Sequence, residues 1–257
     1  MRADVYLVQG GYAESRTLAQ KLIDSRAVRV DGRVIAKASE DISEGVHEVT
    51  VAATADTRYV GRGGLKMEAA LAHFPLSVHE KIIADVGAST GGFTDCLLQN
   101  GAARVYAVDA GHGQLHPRLL ADPRVRSAEG VNARYLDPGI LREIEQKHPN
   151  PDPAFDGLVD GCVIDVSFIS QTLILPALAT VIRNGGFLVT LIKPQFELSG
   201  AALGKHGVVK REQDRRAAVD RVLASAAACG FSCRGHIPSP IEGGDGNREY
   251  LAYLIKN

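Results

Sequence analysis

The sequence contains no tryptophan, only four cysteines in 257 residues, and almost no net charge. Four cysteines are too few for a disulfide scaffold of the kind found in small secreted domains. A composition that is 45% hydrophobic and 23% charged excludes a disordered, collagen-like or coiled-coil chain. The formal net charge of -1 also disfavours a nucleic-acid-binding protein, because such proteins usually carry a basic excess.

Long hydrophobic runs are also missing. The N-terminal segment includes Asp4 and has no apolar core long enough for a signal peptide. The most apolar later stretch, residues 173–182, contains Pro176 and is far shorter than the roughly 20 residues of a membrane span. We therefore expect a cytoplasmic protein that has no membrane partner.

No metal-binding motif is present. The eight histidines form neither an HxxxH nor an HExxH pattern. Cys229 and Cys233 have no second cysteine pair or histidine at ligand spacing, so we interpret them as small apolar side chains around a helix end. The sequence predicts no metal site.

Residues 1–56 are predicted to form a small α+β unit. Ser15 is a favourable N-cap, and the apolar residues that follow it recur at helical spacing, at Leu18, Ala19, Leu22 and Ile23. Asp31-Gly32 lies between two short β-branched segments, which predicts a hairpin. Residues 46–51 are expected to add a third strand.

The charges of this unit are sorted along the chain. Residues 15–37 contain six basic and two acidic residues, whereas residues 38–56 contain five acidic residues and no basic one. Most such runs are solvated surfaces, but here the basic residues lie on one helix and the hairpin after it, which favours a phosphate-binding face. The candidate contacts are Arg16, Lys21, Arg26, Arg29, Arg33 and Lys37, with Arg62 from the joint that follows.

The same stretch resembles the S4 RNA-binding domain. The pattern is carried by Arg2-Ala3-Asp4, Leu7-Val8, Gly11, Ser15-Arg16, Ala19, Leu22-Ile23, Val28, Val30-Asp31-Gly32 and Lys37. Ala3 departs from it, because many S4 domains have leucine there. The resemblance implies docking on structured RNA through the helix and the hairpin.

The pattern changes after a short joint, residues 57–64, whose final glycines suggest a hinge or tight turn. Over residues 65–257, apolar strands are expected at 82–86, 105–108, 163–166, 187–192 and 251–255. Helices are expected at 91–100, around 171–183 and at 212–229. Residues 184–186 are expected to end the second of these helices. Strands that alternate with helices predict an α/β domain with a doubly wound, mainly parallel sheet.

A glycine-rich turn follows the first of these strands and opens directly into a helix: Asp85-Val-Gly87-Ala-Ser89-Thr-Gly91-Gly92-Phe93. Asp109, 24 residues after Asp85, ends the next strand and is placed to bind the ribose hydroxyls of an adenosine cofactor. NAD and S-adenosylmethionine both fit this arrangement, and the glycines could serve a tight turn alone. The Gly-x-x-x-Gly-Gly spacing favours S-adenosylmethionine. Asp85 does so too, because it would repel a pyrophosphate but suits the methionine end and the sulfonium, so we predict that it contacts the cofactor.

Two lysines and two carboxylates are candidates for the chemistry. Asp165 and Lys193 end apolar strands, Glu249 precedes the last strand, and Lys66 lies on a helix before the first. Taken singly, each residue is more simply a surface charge, but three of the four fall at strand ends. A lysine that takes or polarises a proton, oriented by carboxylates, can activate a ribose hydroxyl. Cys162 and Cys96 are poorly placed as nucleophiles, and no Pro-Pro turn for amine methylation is present.

Five motifs resemble one family: Arg62-Gly63-Gly64-Leu65-Lys66, residues 85–95, Asp165-Val-Ser-Phe-Ile-Ser170, Leu191-Ile-Lys193-Pro-Gln-Phe-Glu197 and Gly246-Asn-Arg-Glu249-Tyr. They are similar to the haemolysin-A (TlyA-type) proteins, which are S4-bearing relatives of the FtsJ-like ribose methyltransferases. The resemblance covers essentially the whole chain. It implies a Rossmann-like class I methyltransferase with a seven-stranded sheet, preceded by an S4 domain.

The resemblance also implies an activity and a site. The activity is S-adenosylmethionine-dependent 2′-O-methylation of ribosomal RNA, at cytidine. The catalytic tetrad falls on Lys66, Asp165, Lys193 and Glu249, with Lys193 as the activating lysine. Cofactor contacts fall on Gly87, Ser89, Gly91, Gly92, Phe93, Asp109 and Asn132. Two other functions stay open: an RNA-binding ribosome-assembly factor with a vestigial catalytic domain, and a membrane-lytic haemolysin.

Overall fold

The computed structural model describes residues 1–43, 45, 47–52, 54–198, 203–204, 207–244 and 246–257. Over these residues the chain forms two compact units, Met1–Tyr59 and Val60–Asn257. The elements of the first unit are α1 (Ala3–Gln9), α2 (Arg16–Asp24), β1 (Val28–Val30), β2 (Arg33–Val34), β3 (Val49–Val51) and α3 (Ala55–Arg58).

The first unit packs its helices on a three-stranded antiparallel sheet of order β2-β1-β3. The predicted hairpin is confirmed: Asp31 and Gly32 connect β1 to β2 with φ values of 50° and 77°, as a type I′ turn requires. Ser15 caps α2 as predicted, since its Oγ accepts a hydrogen bond from Leu18 N at 3.2 Å. The third strand begins at Val49, and residue 46 lies outside the described residues.

Helix α1 has no counterpart in the sequence prediction. Its inner face includes Asp4, which is completely buried. Arg2 and Arg16 bond to this carboxylate and hold its pKa well below the usual range. The core of the unit is otherwise apolar and includes Leu7, Leu22, Ile23, Val28 and Ile35.

The second unit contains α4 (Gly63–His73), β4 (Ile82–Val86), α5 (Gly92–Gln99), β5 (Arg104–Asp109), α6 (Pro117–Leu120), β6 (Val125–Glu129), α7 (Pro138–Gln146), β7 (Val159–Ile164), α8 (Leu175–Val181), β8 (Ile182–Ile192), α9 (Pro194–Glu197), α10 (Glu212–Ala228), β9 (Phe231–Pro238) and β10 (Tyr250–Lys256). Its seven strands have the order β6-β5-β4-β7-β8-β10-β9. All neighbours are parallel except β10, which is antiparallel to both β8 and β9. The predicted seven-stranded, mainly parallel α/β fold is confirmed.

This topology decides where a ligand can bind. The chain winds outward from β4 through β5 to β6, and then returns to build β7 and β8 on the other side of β4. The order of strands therefore reverses between β4 and β7. Ligands of open α/β sheets bind at the carboxyl ends of the strands beside such a reversal.

Two element boundaries in this unit differ from the sequence prediction. The helical segment expected around 171–183 is present as a 3-10 turn, Gln171–Leu173, followed by α8, which ends at Val181. Residues 184–186, which were expected to separate this helix from the next strand, lie inside β8. This strand already begins at Ile182, which is buried and pairs with Val159. Its register against β7 then shifts between Val159 and Gly161.

Gly63 and Gly64 also differ from expectation, since they form the first turn of α4 and not a hinge before it. A Cβ on Gly92 would lie 2.9 Å from Gly64 N and 3.0 Å from Gly61 O. The glycines therefore allow the first turns of α4 and α5 to touch, and this contact places Lys66 at the carboxyl edge of the sheet.

Candidate active site

The glycine-rich turn joins β4 to α5 at the reversal point of the sheet. Gly87 has a φ of 84°, and a Cβ at this position would stand 2.6 Å from the carbonyl oxygen of Asp165. Only glycine fits this close approach without moving one strand end from the other. The turn therefore brings the ends of β4 and β7 together, with Asp165 directly beside it.

A cavity of 490 Å³ opens on the β5 side of this turn. Asp109, at the end of β5, fixes the turn: its Oδ2 accepts from Ser89 N and its Oδ1 accepts from Gly111 N, both at 2.8 Å. The other polar residues of the wall include Asn132, whose Oδ1 accepts a hydrogen bond from Arg134 N at 3.1 Å. The apolar part of the wall consists of Val108, Ala110, Val131, Ala133, Val166, Phe168, Ile169 and Ile174.

A second cavity, of 260 Å³, lies on the other side of the turn. Its wall contains the charged residues Arg62, Lys66, Asp165, Lys193 and Glu242, together with Gly92 and Phe93. The two cavities share four lining residues: Gly87, Ser89, Asp165 and Ser167. They therefore meet at the ends of β4 and β7.

Lys193 stands at this junction. It follows β8 immediately, and its Nζ lies 2.7 Å from Asp165 Oδ1 and donates a hydrogen bond to Ser167 Oγ at 2.8 Å. The side chain is only 11% exposed, so its ammonium is held by neighbours and not by bulk water. The contact with Ser167 is a hydrogen bond, whereas the contact with Asp165 is an ion pair whose Oδ1 has no hydrogen-bond partner among the described residues.

Lys66 and Glu249 form a second pair. Lys66 Nζ donates to Glu249 Oε2 at 2.5 Å, and both side chains are buried. Lys66 lines the smaller cavity, whereas Glu249 lies behind it. The four residues predicted as a tetrad thus come together as two lysine–carboxylate pairs, one at the junction of the cavities and one beside it.

Asp85 and Gly91 are placed differently from the other predicted cofactor residues, because neither lines either of these two cavities. Asp85 is fully buried beneath the turn and accepts a hydrogen bond from Thr94 Oγ1 at 2.6 Å. Burial raises the pKa of its carboxyl to about 7. Gly91 is the N-cap of α5. A direct cofactor contact for either residue stays a prediction.

Two residues near the junction, Ser167 and Phe168, are not among the site residues predicted from the sequence. Ser167 lines both cavities and accepts a hydrogen bond from Lys193. The sequence feature that could have indicated it is its position two residues after Asp165, the carboxylate at the end of a strand. Phe168 is 92% exposed beside the larger cavity and has a φ of 64°. An exposed aromatic side chain on a strained backbone is a recognised mark of a functional position, but φ cannot be read from sequence.

The six basic candidates of the first unit are all exposed, but they differ in their partners. Arg16 bonds to Asp4 at 2.9 Å, Arg33 pairs with Glu40, and Arg29 donates to the carbonyl oxygen of Gly32 at 3.1 Å. Among the described residues, no ion-pair partner is found for the side chains of Lys21, Arg26 and Lys37. The seventh candidate, Arg62, belongs to the second unit and lines the smaller cavity.

Two other features concern the described part of the chain. No group of three or more histidine, cysteine, aspartate or glutamate side chains in it could hold a metal ion. Within the same ranges, no helix combines the length and apolar character needed to cross a bilayer.

Comparisons with known proteins agree with this architecture. The FtsJ-like methyltransferase family model matches residues 59–256, and the S4 domain model matches residues 1–47. The chain is 42% identical over 253 residues to "Putative rRNA methyltransferase YqxC" of Bacillus subtilis, covering 98% of this chain and 85% of that protein. It is 39% identical over 253 residues to "16S/23S rRNA (cytidine-2'-O)-methyltransferase TlyA" of Mycobacterium tuberculosis, covering 98% and 89%.

A solved structure gives the same result. The "Putative hemolysin from Streptococcus thermophilus" is 44% identical and superposes with a TM-score of 0.72, covering 100% of this chain and 88% of that one. Both family models together span nearly the whole sequence, in the order expected. The chain therefore belongs to the FtsJ-like methyltransferase family, in its S4-bearing TlyA-type, or haemolysin-A, branch.

Proposed function

We propose that this protein is a cytoplasmic S-adenosylmethionine-dependent methyltransferase that modifies a ribose 2′-hydroxyl of ribosomal RNA, at a cytidine. The observation that carries the proposal is the Lys193 ammonium, held by Asp165 and Ser167 where the two cavities meet. The printed name of the Mycobacterium tuberculosis relative supports the substrate class and the cytidine. Lys66, Asp165, Lys193 and Glu249 are its proposed catalytic residues.

The larger cavity fits the adenosine part of S-adenosylmethionine. Each oxygen of Asp109 already accepts one backbone N–H. A carboxylate oxygen has two lone pairs, so each retains a place for a ribose hydroxyl. Val131, Ile169 and Ile174 offer apolar contact for a flat base. We assign Asp109, Asn132, Gly87 and Ser89 to this half of the cofactor and Gly92 and Phe93 to the half nearer Lys193.

The chemistry at the junction is a proton transfer coupled to an in-line displacement. When bound, S-adenosylmethionine supplies a methyl group on a positively charged sulfur. Lys193 in its neutral form accepts the proton of the 2′-hydroxyl, and Asp165 and Ser167 then hold the ammonium in the arrangement described above. Because the displacement is in line, fixing the two reactants supplies a large part of the rate.

The first unit is proposed to dock the substrate as an S4 RNA-binding domain, and the chain to divide into residues 1–56, a joint at 57–64, and the methyltransferase domain. Lys21, Arg26 and Lys37 are the sharpest probes of this surface, because they are exposed and have no described ion-pair partner. Arg16 is a poor probe, since its loss would leave the buried carboxylate of Asp4 with one arginine fewer. The double variant Lys21→Ala with Arg26→Ala is expected to weaken RNA binding and its salt dependence, with cofactor affinity unchanged.

The central experiment measures methyl transfer from labelled cofactor to separated ribosomal subunits and to naked ribosomal RNA, followed by mapping of the modified ribose. Lys193→Ala is expected to bind cofactor but to transfer the methyl group at least about 100-fold more slowly than wild type. Lys147→Ala, at the exposed end of α7, is the matched control and should retain full activity. Absence of transfer to every ribosomal RNA by the wild-type protein would refute the proposal.

The same experiment separates the other two functions. An assembly factor with a vestigial catalytic domain would bind ribosomal RNA through the first unit and transfer no methyl group. A membrane-lytic protein would lyse red cells, and the Lys193→Ala variant would do so undiminished. The buried and paired lysines of the site favour the enzyme over both, because a site without function has no reason to retain two desolvated ion pairs.

A further inference from the structure

We propose that Glu197 is a positioning residue of the active site, which clamps the loop of residues 165–171 to the strand end that carries Lys193. The inference rests on the methyltransferase function proposed above, because it concerns the same site. Glu197 is not among the four proposed catalytic residues, and it lines neither cavity. Its effect on the reaction must therefore pass through the residues it holds.

The carboxylate of Glu197 joins two segments of chain. Glu197 ends α9, four residues after Lys193, and is only 3% exposed. Its Oε1 accepts a hydrogen bond from Gln171 N at 2.8 Å, and its Oε2 accepts one from Ser170 Oγ at 2.5 Å. These two donors close the far end of the loop that begins at Asp165.

Gln171 extends the same clamp to β8. Its Nε2 donates to the carbonyl oxygen of Leu191 at 2.6 Å, and its Oε1 accepts from the hydroxyl of Thr190. Both Gln171 and Thr190 are buried, so these bonds are not exchanged for bonds to water at low cost. The end of the loop is thus tied to the last residues before Lys193 and to the first helix after it.

The Glu197 contacts lie at one end of the loop of residues 165–171, and the contacts with Lys193 lie at the other end. At the near end of the loop, Asp165 and Ser167 hold the Lys193 ammonium. Between the two ends lies Phe168, with its φ of 64° and its ring 5.2 Å from that of Phe196. A backbone conformation of this kind persists only when the surrounding structure fixes it from both sides. Release of the Glu197 end therefore lets the loop relax and moves Asp165 and Ser167 from Lys193.

The test compares Glu197→Gln with wild type. The substitution keeps the size of the side chain but removes its negative charge and one of its two acceptor oxygens, so Gln171 N and Ser170 Oγ can no longer each donate to an oxygen of a carboxylate. Misplacement of reacting groups by about 1 Å costs roughly 100-fold, so we expect kcat to fall about 10- to 100-fold. The KM for RNA and the cofactor Kd should change much less. Hydrogen exchange should quicken at residues 165–171 and stay unchanged in β4 and β5.

Two further variants keep the test specific. Ser170→Ala removes one of the two donors, and its effect on kcat should not add to that of Glu197→Gln, because both break the same contact. Glu145→Gln is the matched control: Glu145 is also a buried carboxylate, on α7, and accepts from Tyr106 OH at 2.6 Å outside the site. It should lower the unfolding temperature and leave kcat of the folded protein unchanged.

The outcomes are distinguishable from failure of the proposed function. If wild type transfers no methyl group, the function is wrong, and hydrogen exchange still reports whether Glu197 holds the loop. The positioning role is overturned if kcat of Glu197→Gln stays within twofold of wild type. It is equally overturned if exchange at residues 165–171 is unchanged, or if Glu145→Gln lowers kcat as much.

Discussion

Replacement of Lys193 by methionine separates the chemical role of this side chain from its structural role. Methionine retains much of the aliphatic stem and removes only the ammonium, which lies 2.7 Å from Asp165 Oδ1 and 2.8 Å from Ser167 Oγ. The variant therefore loses the proposed proton acceptor, the ion pair with Asp165 and the hydrogen bond to Ser167 at once. The larger cavity, assigned above to the adenosine part of the cofactor, keeps its walls, because Lys193 lines only the smaller cavity.

The two roles predict effects of different size. Loss of a general base costs about 10²- to 10⁴-fold in rate, which corresponds to about 3–5 kcal/mol of barrier. The structural cost is smaller. Asp165 loses its cation, and its side chain is 20% exposed, so water replaces part of the lost bonding and about 1–3 kcal/mol of folding stability is at stake.

The assay is single-turnover methyl transfer to the RNA substrate with saturating cofactor, at a temperature where wild type and variant are both folded. Cofactor Kd, measured by calorimetry, should change little. Lys66→Met provides the comparison, because Lys66 bonds to Glu249 and not to a residue shared by both cavities. The assignment of Lys193 as the activating group fails if its variant retains a rate within about tenfold of wild type.

Three other expectations follow from single contacts. Gly87→Ala should destabilise the protein by at least 1–2 kcal/mol, roughly the cost of a left-handed backbone, and should weaken cofactor binding. The reason is that the new Cβ would stand 2.6 Å from Asp165 O. Equal denaturation midpoints for the variant and wild type would contradict this. The pKa of His47 is raised by its bond to Asp31, so this contact stabilises the first unit at pH 6 and weakens as pH rises through the raised pKa. In His47→Ala, hydrogen exchange at residues 28–43 and 47–51 should therefore quicken more at pH 6 than at pH 8.5. The exposed ring of Phe168 is expected to stack on a base of the RNA. Phe168→Ala should then raise the KM for RNA about 5- to 150-fold and change the cofactor Kd by a smaller factor than the KM.

The strands that the sequence analysis anticipated are those whose side chains are almost all apolar. The central strands β4 and β5 are buried nearly throughout, so continuous hydrophobic runs indicate them. Strand β6 was missed because it contains Arg126, a buried cation whose Nε donates to Glu145 of α7 at 2.8 Å. A pattern of residue types cannot reveal a partner that another element brings from elsewhere in the fold.

Strand β9 was missed for a different reason. It is the edge strand of the sheet, and most of its side chains are at least partly exposed, as for Arg234 and His236. Such a strand has neither the continuous apolar run of a central strand nor a clean alternation. Its position is decided by pairing with β10, which is a long-range contact and leaves no local signal.

The active site shows the same limit at the level of single residues. Strand ends could be located from sequence, and this was enough to bring Asp165, Lys193 and Asp109 to one edge of the sheet. Which lysine pairs with which carboxylate could not be inferred, because this depends on side-chain directions across three elements. The expected cofactor contact of Asp85 also depended on direction, and its side chain turns inward to Thr94.

The two lysine–carboxylate pairs differ in how much of the chain must fold before they exist. Asp165 and Lys193 follow β7 and β8, which are parallel neighbours in the middle of the sheet. Lys66 and Glu249 are 183 residues apart and come from the two ends of the second unit, so their pair forms only when β10 has paired with β8. Joining residues so far apart in the chain costs more conformational entropy than joining the ends of two neighbouring strands. The Lys66–Glu249 pair therefore depends on the placement of the last strand, whereas the Asp165–Lys193 pair depends on two central neighbours of the sheet.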